Sequence, residues 1–123
     1  MRGLLLLLAL VIPTPPGSSP VVEHGVAKYY SRGIMQRVAS YRGLTLPQGY
    51  DGFASRPNCN TIGQPFYARV SGVDLLLVQA DCSAPQDVAR HYKEGLVVEL
   101  SYEMAQRTGM VRDGRAQADV WGR

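Results

Sequence analysis

Asp81, at the end of "VDLLLVQAD", and Glu99, inside "LVVEL", are each an acid on an otherwise apolar stretch. Burial against apolar neighbours raises a carboxyl pKa, as does a second carboxylate close by, and both effects move the group toward the working range of a general acid. One carboxyl tuned this way can donate a proton and then take one back. Hydrolysis by two carboxylates needs instead a fixed separation, which spacing in the chain does not specify. Each acid also has a plain structural use. Asp81 can end its strand by bonding its own backbone, and Glu99 can face solvent or hold backbone amides.

Cys59 and Cys82 are the only cysteines, and in an exported chain such a pair is expected to form one disulfide. The bridge would close a loop of about 22 residues, worth roughly 3 kcal/mol in the chain-entropy account. Two cysteines cannot build a structural zinc site, and His24 and His91 stand at no ligand spacing from them, so neither metal nor cofactor is expected. Ser101 has no base beside it and reads as a helix cap rather than a nucleophile. His91 follows Asp87 by four residues, which suits an exposed helix-face contact or, alternatively, an acid/base pair.

The chain that must position these groups has 123 residues, 46% hydrophobic and 19% charged, the balance of one small globular domain. Its 13 basic and 10 acidic residues leave it mildly cationic. The basic residues are scattered rather than striped between aromatics, which argues against a nucleic-acid groove but leaves room for weak attraction to an anionic cell-wall polymer. Met1-Arg2-Gly3, the apolar run Leu4 to Ile12 and the Pro/Ser-rich stretch to Pro20 have the shape of a secretory signal and its exit segment. That run is well short of the roughly 20 apolar residues of a membrane span. Residues 1–20 are therefore read as signal and exit and 21–123 as the domain, with no membrane span in the mature form. An uncleaved segment anchoring a structural subunit is the alternative.

Along the domain, Val26 to Tyr30 is a short strand candidate. Ile34, Met35, Val38 and Tyr41 then fall on one face of a helix of about ten residues, capped by Ser31 and ended by Gly43. Residues 45 to 65 read as a long loop with a brief strand at Gly52 to Ser55. "PFYARV" places Phe66, Ala68 and Val70 on one face, and Ser71-Gly72 turns it into "VDLLLVQAD" as a hairpin. A short helical turn over Gln86 to His91 precedes "LVVELS". Ser101 caps the next helix, Glu103 lies in its first turn and Gly109 stops it. "RAQADVW" supplies the last strand. Six or so short strands with small helices between them predict a mostly β barrel closed by non-local pairing.

The ordered motifs resemble those of RlpA-like double-psi β-barrel domains, found in septal-ring lytic transglycosylases and, more distantly, in expansins and barwin-type proteins. "GVAKYYS" (25–31) is similar to that family's opening G-x-A-S/T-Y/W-Y-G, "GQPFYARV" (63–70) to its PFGTxVRV, and "LVQAD" (77–81) to its V-x-V-x-D. "GLVVELSYEMAQRTGMVRDGRAQADV" resembles GRxIDLSxAAAxxLGMxxxGxxxVxV, the most specific part. The chain departs from the pattern at Lys28, where Ser or Thr is usual, at Cys82, where Arg often follows the acid, and at Glu99 in place of Asp. The helix from about Ile34 to Arg42 is an insertion.

The resemblance implies a six-stranded double-psi β-barrel with short helices in the connections. Its two acid positions flank a shallow polysaccharide groove, with Asp81 opposite Glu99. It implies a secreted, periplasmic or cell-wall-associated monomer acting on peptidoglycan or a related polysaccharide. Cleavage would follow the lytic transglycosylase route, with Asp81 as the acid/base and Glu99 as its partner. Lys28, Tyr29 and Tyr67 would line the groove. The alternative is a non-catalytic, expansin-like wall-binding module.

Overall fold

The structure, a computed structural model, describes residues 21–123; the expected signal and exit segment lies outside the described residues. Six strands form: β1 (Glu23–Tyr29), β2 (Gly52–Ser55), β3 (Pro65–Val70), β4 (Val73–Asp81), β5 (Leu96–Leu100) and β6 (Ala116–Gly122). They close into a barrel in the order β1-β5-β2-β4-β3-β6. Two pairs, β1 with β5 and β2 with β4, are parallel, and the other four contacts are antiparallel. Parallel neighbours cannot be joined by tight turns. The long connections carry three short helices, α1 (Ile34–Tyr41), α2 (Val88–Glu94) and α3 (Tyr102–Thr108). This is the double-psi barrel expected.

Alternation builds the core. Phe66, Ala68 and Val70 from β3 meet Leu75 and Leu77 from β4, Val98 and Leu100 from β5, and Ala118 and Val120 from β6. Alanines at 27, 54, 68 and 118 are almost fully buried, and their small size suits the narrow interior of a barrel with so few strands. The β3–β4 hairpin turns on Ser71 (φ 51°) and Gly72 (φ 77°), both left-handed, as a two-residue turn matched to strand twist requires. Ser101 Oγ accepts the Met104 N–H at 3.1 Å, and α3 stops at the left-handed Gly109.

The first helix departs from expectation in detail. Ser31 does not cap it: Gly33, in a left-handed conformation, holds the N-cap position without a side-chain bond. Tyr41 is 92% exposed rather than on the buried face, which consists of Met35 and Ala39. These two pack on Ala80 of β4 together with Tyr30, Leu44 and Phe53. α1 therefore lies against the outside of the barrel, over a second small core. Cys59, in a 3₁₀ turn Cys59–Thr61, is bonded to Cys82 just past β4, with the two Cα atoms 4.9 Å apart.

Candidate functional site

Two one-residue shifts in strand pairing decide where the acids point. Between β1 and β5 the partners step from Val26–Leu96 to Ala27–Val98, leaving Val97 extra. Without that residue Glu99 would stand opposite Tyr29, whose side chain packs on the barrel core; with it, Glu99 stands opposite Lys28 on the outer face. Between β2 and β4 the partners step from Ala54–Gln79 to Ser55–Asp81, leaving Ala80 extra. Asp81 is thereby turned out of the inward series Leu75, Leu77, Gln79. Irregularities of this kind re-aim side chains next to functional clefts.

Ser55 is the partner of both Asp81 and Glu99, so Lys28, Glu99, Ser55 and Asp81 form a row across β1, β5, β2 and β4. At about 4.8 Å per strand the backbones of the two acids stand roughly 10 Å apart. Lys28, Glu99 and Asp81 of this row floor a cleft of about 540 Å³ whose far wall is α2 and the Cys82–Pro85 segment.

The two acids meet different environments. Asp81 Oδ2 accepts the Tyr30 hydroxyl at 2.7 Å and Oδ1 accepts Arg42 Nη2 at 3.1 Å. Arg42 is delivered by the C-terminal end of α1, so that helix contributes directly to the site. Burial pushes the Tyr30 phenol well above its usual range, the hydroxyl of Ser55 draws it back, and the Asp81 bond and the Asp81 and Glu99 charges raise it further. Tyr30 therefore keeps its proton and acts here as a hydrogen-bond donor to Asp81.

Glu99 is half-buried and has no hydrogen-bond or ion-pair partner among the described residues. Burial pushes its carboxyl above the ordinary glutamate range; positive charge at His91, Lys28 and Arg90 pulls the other way, and Asp81 adds to the rise. Lys28 is engaged by Glu94 (Nζ to Oε1, 3.0 Å) and Arg90 by Asp87 (2.9 Å).

Of the residues singled out in the sequence, Asp81, Glu99, Lys28, Cys59 and Cys82 all line this cleft. Tyr29 and Tyr67 do not. Tyr29, one residue out of phase with Lys28, packs on the core, donates its hydroxyl to the Val111 carbonyl (2.9 Å) and meets Tyr102 edge-on. Tyr67 stacks on Trp121 on the outer side of β3 and β6, ring centroids 5.7 Å apart. His91 does not contact Asp87 from an exposed face. The helix runs Val88–Glu94 after a 3₁₀ turn Pro85–Asp87, later than expected, and His91 is buried against Ser83.

Arg42 and Ser83 were not legible as site residues. Tyr30 had a signal, since it lies two residues beyond Lys28 and so shares its face. Arg42 and Ser83 had none. No cluster of three metal-ligating side chains is present among the described residues.

No family model and no curated protein sequence matches the chain. Among solved structures it is similar to the crystal structure of apo expansin from Clavibacter michiganensis, with a TM-score of 0.54 at 15% identity. The match covers 84% of this chain and 51% of the other, so the chain spans about half the length of that expansin. The shared feature is the double-psi barrel fold.

Proposed function

We propose that this is an exported protein of the RlpA-like type whose cleft takes a strand of peptidoglycan or a related cell-wall polysaccharide and cleaves it as a lytic transglycosylase does. The observation that carries this reading is Glu99: a half-buried carboxyl with raised proton affinity and no partner among the described residues, facing an open cleft across from a second acid. The proton-carrying role falls on Glu99 rather than Asp81, whose two oxygens already accept from Tyr30 and Arg42.

Glu99 gives its proton to the glycosidic oxygen; the C1–O bond breaks and its electron pair stays on the departing hydroxyl. The 6-hydroxyl oxygen of the same sugar then bonds to C1, and its proton returns to Glu99, leaving a 1,6-anhydro end. Asp81, fixed by Arg42 and Tyr30, supplies negative charge to the oxocarbenium-like transition state.

The test is incubation of the protein with purified peptidoglycan and mass spectrometry of the soluble products. Anhydro-muropeptides are expected, with release lowered ~100-fold or more in Glu99→Gln, the usual loss for a general acid. A second reading is an expansin-like module that binds and loosens glycan without turnover. The similarity to an expansin fold favours it, and co-sedimentation with no release from either protein would establish it against the first.

A further inference from the structure

His91 and Ser83 are 6% and 5% exposed, yet both belong to the wall of the cleft. The imidazole Nδ1 lies 2.6 Å from Ser83 Oγ. Nε2 has no hydrogen-bond partner among the described residues, whereas buried polar atoms ordinarily have one. A leucine at this inward position of α2 would avoid that cost, so packing alone does not account for a histidine here. The serine that holds the ring is itself tethered, by the adjacent Cys59–Cys82 bridge and by its own N–H donating to the Pro57 carbonyl at 3.4 Å.

The charged groups around the imidazole come from every neighbouring element: Lys28 on β1, Asp81 on β4, Arg42 after α1, and Asp87, Arg90 and Glu94 around α2. All six are engaged with one another in ion pairs. Glu99 is the carboxyl left over, and among the charges that favour its ionised form His91 stands first.

We propose that Ser83 and His91 are a positioning pair for the acid site: Ser83 orients the imidazole through Nδ1, and His91 stabilises the anion that Glu99 becomes on giving up its proton. The inference rests on reading the cleft as an acid site. It balances the two demands on Glu99, because burial raises the carboxyl's hold on its proton and a positive charge on the neighbouring imidazole eases the proton's departure. No proton passes to His91 in the step, which remains the transfer from Glu99 to the glycosidic oxygen and back.

The experiment is a carboxyl-carbon NMR titration of the protein without glycan, with the Glu99 resonance identified by its loss in Glu99→Gln. In His91→Asn, which keeps an amide toward Ser83 and removes the imidazole charge, the Glu99 midpoint is expected to rise by at least about half a pH unit. Ser83→Ala, which frees the ring, is expected to move it the same way by less. An unchanged Glu99 midpoint in folded His91→Asn overturns the proposal. Where that variant does not fold, an unchanged midpoint in Ser83→Ala overturns it. Since no glycan is present, a shifted midpoint supports the pair even if peptidoglycan is never cleaved, so the two readings fail separately.

Discussion

Glu99 carries a conflict between stability and chemistry that can be measured. Its folded-state pKa lies above the unfolded value because burial penalises the anion. Its contribution to stability is therefore fully present below the ordinary glutamate range and is lost as pH rises through the raised folded value. Glu99→Gln removes the buried anion, so the variant is expected to be more stable than the native chain at neutral pH. The advantage should shrink toward zero near pH ~4, which urea midpoints at the two pH values would show. The proposed cleavage would have the same sign: it is expected where Glu99 is protonated and should fall as pH rises through that value. A variant that gained no stability at neutral pH would mean that Glu99 bears no burial cost. Nothing in "LVVEL" reveals this, because a carboxylate on a solvent face and one facing a cleft are spelled alike.

At the scale of elements, the site depends on β5 carrying one residue more than β1 can pair. Val97 is that residue, and Gly25 makes room for it. The Val26 N–H donates to the Gly95 carbonyl at 2.9 Å. A Cβ at Gly25 would collide with that carbonyl oxygen and come within 2.7 Å of Val97 Cγ1. Gly25→Ala is therefore expected to destabilise the fold by about 2–3 kcal/mol, the upper range for overpacking, because backbone rather than a flexible side chain must give way. A denaturant midpoint equal to the native one would refute this. The strands, the hairpin and α3 were legible because alternation, the Ser71-Gly72 turn and the Ser101 cap are local signals. The register shifts were not, since one extra residue inside an apolar run leaves the run looking the same. α1 was legible as a helix but not as the carrier of Arg42, because its burial depends on Ala80, far off in sequence.

For the whole molecule, closure of the barrel brings together residues between Lys28 and Glu99 that share no local pattern, so the cleft could be expected only from the resemblance in ordered motifs. The disulfide was legible from cysteine number alone. It spans 23 positions, and replacing both cysteines by serine is expected to lower stability by about 3 kcal/mol, read as a drop in urea midpoint. A loss well under 1 kcal/mol would show that the bridge only decorates a wall held by other contacts. Cys82 lies directly between Asp81 and Ser83, so the bond that staples the fold also ties one acid to the wall facing the other. A chain still in a reducing compartment has the strands of the barrel without this tie. Reduction of the bridge is therefore expected to loosen the wall that faces Glu99 while leaving the six strands paired.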